Sequence, residues 1–419
     1  MRSARLLAPA LLLLALPALA VGEGKFALKD GDRVVFYGDS ITEQRLYTTF
    51  VETYAVTRFP DAKITFVHSG WGGDRVGGGG GGPIDVRLDR DVEAYKPTVV
   101  TIMLGMNDAS YQPFRDPIFK TYADGYAHIV DKLKADLPGV RLTLIEPSPY
   151  DDVTREPKFE GGYNSVLVRY GDFVRKLASK SGSGFADLNT PVVAATAKAF
   201  GTDPELATKF NFDRIHPGPA GQLLMAAALL KAWDAPALVS RVGIDAREGR
   251  ATVAEGAKVS DVARDGDAVR WAQLDEALPF PIDLKDPVVE LAVRSSDVVP
   301  ALDRQVVEVE GLPAAEYTLA VDGDAVGTFT RAQLADGVNL ATLATPMARQ
   351  AAKVHALTLK HNALHAARWR AVQFPNPASK SANLARALEA LDGLEAEIVD
   401  DQRAAAKPTS HRFELKPKS

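Results

Sequence analysis

Apolar and polar positions alternate along the first half of this chain with two periods. Arg33–Tyr37, Lys63–His68, Thr98–Leu104, Val140–Ile145 and Phe185–Leu188 are short runs rich in Val, Ile, Leu and Phe, as strands are. Thr98–Leu104 carries β-branched and apolar residues on both faces, the mark of a fully buried strand. Between the runs lie stretches with apolar residues at helical spacing. Leu46, Phe50 and Tyr54 share one face. Helices are also expected over Ile118–Leu137, which Pro138-Gly139 ends, over Tyr163–Ser179 and over Pro219–Trp233. This β/α alternation predicts an α/β fold with a parallel sheet covered on both faces.

The pattern changes twice further on. Over 241–340 it breaks into short strands and Asp-Gly turns. Tyr317–Val321 and Val326–Phe329, joined through Asp322-Gly323-Asp324, predict a hairpin, and Asp265-Gly266 marks another turn. A small β-rich domain is expected there. Over 341–403 the helical period returns. Met347, Ala351, Val354, Leu357 and Leu364 form one stripe, and Leu384, Leu388, Leu391, Leu394 and Ile398 a second; Pro375-Asn376-Pro377 lies between them. An antiparallel helical pair is expected, with a dimerising face as one use of it. The tail 404–419, rich in Lys and Pro, reads as disordered.

Composition narrows the functional classes. The chain has 419 residues, 46% hydrophobic and 25% charged, so it can build a sizeable core. Its formal net charge of −5 gives no basic footprint for nucleic acid. The absence of cysteine excludes disulfides, thiolate metal sites, a cysteine nucleophile and a lipidated N-terminal Cys. Arg2 and Arg5, the apolar run Leu6–Leu16 and Ala18-Leu19-Ala20 have the three parts of an export signal, so residues 1–20 read as a cleaved signal peptide. A periplasmic or secreted protein, not held in a membrane after signal removal, is the expectation.

Four fragments carry chemistry. Ser40 follows a strand in Gly38-Asp39-Ser40-Ile41, where a strand-to-helix turn exposes a hydroxyl and places its N–H at a helix start. Asp213 and His216 are three apart, close enough for a carboxylate to orient an imidazole whose Nε2 then faces a nucleophile. Gly73 ends Gly70-Trp71-Gly72-Gly73, and Asn107 stands in Gly105-Met106-Asn107-Asp108; a glycine N–H and an asparagine amide are donors suited to an oxyanion. The fragments follow strands, whose C-terminal ends border the ligand crevice of open α/β sheets.

These four blocks resemble those of the SGNH hydrolases, the GDSL esterases and lipases. The resemblance covers about residues 32–235. It implies a flavodoxin-like three-layer α/β/α domain within 21–240, with Ser40 as nucleophile, His216 as base and Asp213 as its orienter. Ser40, Gly73 and Asn107 are implied as oxyanion donors, with no metal and no cofactor. One departure is visible: His68-Ser69 stands where the family usually has Asn ahead of the glycines. The α/β-hydrolase elbow Gly-x-Ser-x-Gly is absent.

The resemblance and the export signal point to short-chain acyl esters, acetyl on carbohydrate foremost, with a small-molecule or polysaccharide ester as partner. An exported O-acetyltransferase and a non-enzymatic carbohydrate-binding surface protein are the alternatives. Asp39, Trp71 and Arg75 are further candidates for substrate contact. Tyr150, Asp151 and Asp152 read as cleft or loop residues. The run Gly77–Gly82 lacks the βαβ context of a nucleotide site and reads as a pocket rim or a flexible linker. His361 and His365 have helical ligand spacing but no His-Glu-x-x-His pattern.

Overall fold

The computed structural model describes residues 25–375 and 381–418. The expected signal peptide and positions 376–377 of the expected helix break lie outside the described residues. The central sheet contains β1 (Arg33–Gly38), β2 (Thr65–Gly70), β3 (Val99–Met103), β4 (Arg141–Ile145) and β5 (Gly184–Ala186). Its order is β2-β1-β3-β4-β5 and every pair is parallel. Val34, Val35, Phe36 and Tyr37 of β1 are all fully buried, as a strand covered on both faces requires. Helices on the two faces include α1 (Ser40–Glu43), α2 (Leu46–Arg58), α3 (Ile84–Asp91), α4 (Asp116–Asp136), α5 (Gly162–Ser181), α6 (Thr190–Thr202) and α7 (Pro219–Ala232). The helices α3 and α6 were not expected. Strand order reverses direction at β1/β3, and in doubly wound sheets that switch point opens the ligand crevice. Ser40 leaves β1 and Asn107 follows β3 on its two sides.

The second half forms two sheets with a core of their own. Strands β6 (Leu238–Asp245), β7 (Arg250–Glu255), β8 (Ala257–Asp265), β9 (Ala268–Asp275), β10 (Arg304–Glu310), β11 (Glu316–Val321), β12 (Asp324–Thr330), β13 (Val338–Asn339) and β14 (His411–Pro417) build them. One sheet has the order β8-β9-β14-β11-β12, the other β13-β10-β6-β7. The β11–β12 hairpin turns through Asp322 and Gly323, both with φ in the left-handed region, as a tight two-residue connection demands.

Three expectations are corrected here. The tail expected to be disordered is ordered over its described residues 404–418: β14 lies in the middle of a sheet, paired with β9 and β11, and alternation buries Phe413 and Leu415. The interval 241–340 is not purely β-rich. Phe280, Val289, Leu291, Ala292, Val298 and Leu302 pack into the core of the α/β domain instead. The last helices, α8 (Pro346–Ala366) and α9 (Ala382–Ala406), form the expected pair, but the α8 stripe differs. Thr358, His361, Asn362 and His365 are buried with Met347, Ala351 and Val354, whereas Leu357 and Leu364 stay half-exposed. Polar residues face inward because α8 packs on α2, which presents the buried Glu52 to them.

Candidate active site

Ser40 opens α1 immediately after β1 and Asp39. The Asp39 carboxylate accepts from the Ile41 N–H at 3.0 Å and caps the helix. Asp39 is buried, and that burial pushes its carboxyl up to about 7. This corrects the expected substrate contact: Asp39 sits beneath the turn that presents Ser40.

His216 comes from a tight loop before α7. Antiparallel pairing of Asn211 with Pro217 closes the loop, and the Phe212 N–H donates to the His216 carbonyl at 3.0 Å. Asp213 folds back inside it. Its Oδ1 accepts from the N–H groups of Ile215 (3.0 Å) and His216 (2.9 Å), and its Oδ2 lies 2.8 Å from His216 Nδ1. His216 Nε2 lies 2.9 Å from Ser40 Oγ. Partial burial works to raise the Asp213 carboxyl, but the hydrogen bonds from His216 and the loop N–H groups hold it below its ordinary value. Asp213 is therefore ionised near neutral pH and can only accept, so Nδ1 carries the proton and Nε2 is left to accept from Ser40.

The loop is pinned from outside. Arg214 has φ +77°, a region few non-glycine residues occupy. The Asp151 N–H donates to its carbonyl at 2.8 Å, and its guanidinium reaches the Asp152 carboxylate at 3.4 Å. Tyr150 and Asp151 are buried, so this segment serves as the loop's anchor and not as a solvated rim. Gln44 reaches the Pro217 carbonyl (3.3 Å) and is itself held by Gln222 (2.8 Å).

The glycine turn and the asparagine block are stitched together. Trp71–Asp74 is a turn closed by the Asp74 N–H on the Trp71 carbonyl at 3.1 Å, with Gly73 exposed at φ +78°. Such a φ is easy for glycine and strained for other residues. Asn107 Nδ2 donates to the Asp74 carbonyl at 3.1 Å, and its Oδ1 accepts from the Tyr111 hydroxyl at 2.8 Å. The Val76 N–H donates to the Asp108 carboxylate at 2.9 Å. Below the turn, Arg87 is buried between Asp74 (2.8 Å) and Asp91. His68 and Ser69, at the family's usual Asn position, turn to other partners: His68 to Thr48 and Glu52, Ser69 to the Asp91 carbonyl.

Trp71 is also corrected as a substrate contact. It is only 6% exposed, with the rings of Trp369 and Phe374 at 5.6 and 4.5 Å. Arg75 is exposed beside the turn, and its charge acts on the Asp108 carboxyl. The glycine run is close-packed and not a linker. Gly78–Gly79 pairs with Gly82–Pro83, and a Cβ at Gly81 would lie 2.6 Å from the Arg87 side chain and 2.8 Å from Trp71.

Ser40 and His216 open into a shallow groove of about 580 Å³ lined also by Glu43, Gln44, Arg45, Phe212 and Asp213. Phe212 is 63% exposed. Glu43, Gln44, Arg45 and Phe212 were not expected from the sequence, although Phe212, directly before Asp213, was in reach of the motif. A second cavity, about 590 Å³, lies under α8 and α9 and is lined by Glu52, His361, His365 and Glu395 among others. No group of His, Asp and Glu with metal-holding geometry is present among the described residues, and His361 and His365 are engaged by carboxylates.

A serine hydroxyl, an imidazole and an ionised carboxylate in series on a flavodoxin-like sheet are the arrangement of an acyl-transferring hydrolase. A family model of GDSL-like lipases and acylhydrolases matches residues 36–224, and the chain carries a domain of this SGNH hydrolase family and is a carboxylic ester hydrolase. That answers the non-enzymatic alternative. An acetylxylan esterase of Geobacillus stearothermophilus is 26% identical over 223 residues, 48% of this chain and 93% of that protein. A crystal structure of that esterase covers 50% of this chain and 96% of its own at 25% identity, with a TM-score of 0.40. The solved structure of a gut microbial diltiazem-metabolizing enzyme is similar over nearly the whole length: 93% of this chain and 98% of that chain, 26% identity, TM-score 0.81. The two C-terminal sheets and the helical pair thus recur with the hydrolase domain in one solved protein.

Proposed function

We propose that this protein is an exported serine esterase that removes short acyl groups, acetyl foremost, from carbohydrate. The observation that carries the reading is the series Ser40 Oγ–His216 Nε2 at 2.9 Å and His216 Nδ1–Asp213 Oδ2 at 2.8 Å. As the Ser40 oxygen attacks the ester carbonyl, its proton passes to His216 Nε2, and Asp213 stabilises the imidazolium. The carbonyl oxygen becomes an oxyanion facing the Ser40 and Gly73 N–H groups and the Asn107 amide. Preorganised donors of this kind are typically worth about a hundredfold to a thousandfold each in rate. His216 then gives its proton to the departing alcohol. Water, deprotonated by His216, attacks the acyl-enzyme and frees the acid.

A carbohydrate alcohol is supported by the groove. It is open, with the polar side chains of Glu43, Gln44, Arg45 and Asp213 along it, and Phe212 offers a ring to the apolar face of a sugar. Exposed Arg75 is a second contact for a polar substituent. The acetylxylan esterase relative and the signal-like first 20 residues agree with an exported enzyme on acetylated glycan. No helix among the described residues is long and apolar enough to cross a membrane.

The test is a panel of acetylated xylo-oligosaccharides and p-nitrophenyl esters of increasing acyl length, with wild type and Ser40→Ala. The expected result is a preference for acetyl, release of acetate from the glycan, and no turnover by the variant. Preference for long acyl chains, or transfer of acetyl to a sugar hydroxyl in place of water, would contradict it.

A further inference from the structure

The hydrolase family model ends at residue 224, yet a residue near 370 reaches the candidate site. After Ala366 the α8 helix widens into a π-helical stretch, Ala367–Gln373. Such turns are rare and are frequently found at functional sites. Here they direct Trp369 and Arg370 at the glycine turn. The Trp369 indole N–H donates to Asp91 at 2.7 Å, and its ring meets Trp71 edge-on. The Arg370 guanidinium carbon lies 3.4 Å above the Trp71 ring centroid, and its Nη1 is 2.8 Å from Glu43 Oε1, a charge contact without hydrogen-bond alignment.

Glu43 is the last residue of the helix that Ser40 begins, and it lines the groove. Its other carboxylate oxygen fills the space beside Gly72, where a Cβ would approach to 2.8 Å. Ser40 Cβ lies 4.0 Å from that same point. Gly72 is therefore seated between the Ser40 helix and Trp71, and Arg370 lies against both. An isolated ion pair at 32% exposure on each side would add little. Here the attraction of the guanidinium for a buried indole face adds to the charge pairing.

We propose that Arg370 is a positioning residue for the oxyanion turn: through Glu43 and Trp71 it fixes the Gly72–Gly73 backbone against Ser40, so that the C-terminal helical pair completes the active site. The proposal rests on the reading of Ser40 as nucleophile and Gly73 as oxyanion donor. A donor displaced by a fraction of an ångström weakens the transition state more than the ground state.

The experiment compares wild type, Ser40→Ala, Arg370→Ala, Arg370→Lys and Glu43→Gln on p-nitrophenyl acetate. For the variants that keep Ser40, rates are expressed per active site titrated with a fluorophosphonate, which removes any misfolded fraction from the comparison; Ser40→Ala, which has no hydroxyl to label, is compared per mole of protein that unfolds cooperatively. Arg370→Ala is expected to lower kcat by about tenfold or more, a fraction of one oxyanion donor, with KM changed less than about twofold. Arg370→Lys, which keeps the charge for Glu43, recovers part of the loss, and Glu43→Gln lowers kcat in the same direction. Unchanged kcat in Arg370→Ala, or a change confined to KM, overturns the proposal; if Arg370→Ala does not fold, Arg370→Lys and Glu43→Gln both at the wild-type kcat overturn it equally. Activity retained by Ser40→Ala would instead remove the reading beneath it, whereas an inactive Ser40→Ala beside a normal Arg370→Ala would sink this inference alone.

Discussion

Two clusters in this molecule are built from the same chemical parts and behave in opposite ways. At the groove, His216 joins the Ser40 hydroxyl to the Asp213 carboxylate, with side-chain exposures of 31% for His216 and 53% for Asp213. Under the helical pair, His361 lies between two carboxylates, Glu52 at 3.0 Å and Glu395 at 3.1 Å, and the exposures of His361 and Glu52 fall to 4% and 2%. His68, His365 and Gln402 complete that second set. Burial by itself lowers the His361 pKa, but Glu52 and then Glu395 outweigh it and hold the ring charged, well above the ordinary imidazole value. A histidine flanked by two anions keeps its proton; one flanked by an anion and a hydroxyl can pass it on. The difference lies in the unlike partners and the access to solvent, not in the residue types.

The sharpest way to break the comparison is to remove the proposed nucleophile or base of the groove. Ser40→Ala and His216→Ala are each expected to lower kcat by about 10⁴-fold or more on p-nitrophenyl acetate, with the unfolding midpoint nearly unchanged. Changing the buried cluster should do the reverse. Glu52→Ala leaves His361 charged with one partner gone, and loss of one partner of a buried ion pair typically costs about 3–5 kcal/mol. Urea unfolding would register that loss; an unchanged midpoint would mean the cluster does not hold the helical pair to α2. Asn107→Ala sits next in size, with an expected loss of about a hundredfold to a thousandfold in kcat and little change in KM.

The pH dependence of the helical pair sharpens the contrast further. Glu52 and Glu395 are both driven down by their histidines against the opposing effect of burial. A depressed carboxylate contributes stability above its unfolded value and loses it as pH falls through the folded one. A raised histidine contributes below its unfolded value and loses it as pH rises through the folded one. The pair should therefore be most tightly docked from mildly acid to neutral pH and loosen in strong acid and in alkali. Hydrogen exchange over 346–406 as a function of pH would trace this, and a flat profile would contradict it. The smallest effect is expected for Phe212→Ala: a several-fold rise in KM for an acetylated oligosaccharide, worth about 1 kcal/mol of ring contact, with p-nitrophenyl acetate almost unaffected.

The sequence made the groove legible because its parts are local. Ser40, Asn107 and the Gly72–Gly73 turn each follow a strand directly, and Asp213 reaches His216 within one loop. What it hid depends on distant contacts. Trp71 looks like an exposed aromatic until Trp369 and Phe374 cover it. Arg370 acquires its place only when α8 packs against α2 and a π turn re-aims it. The inward histidines of α8 defeat an apolar-stripe reading because their partner, Glu52, lies on another helix. β14 shows only Phe413 and Leu415 amid Lys, Arg and Pro, too faint a two-residue period to mark a strand at the centre of a sheet.

The central claim is that His216 makes the Ser40 hydroxyl nucleophilic. Its most direct measurement is mass spectrometry of the protein quenched during turnover of a slowly hydrolysed acyl ester, on wild type and His216→Ala side by side. The account predicts one acyl group on the peptide containing Ser40 in wild type and almost none in the variant. Acylation at another residue, or equal labelling of Ser40 without the imidazole, would contradict it.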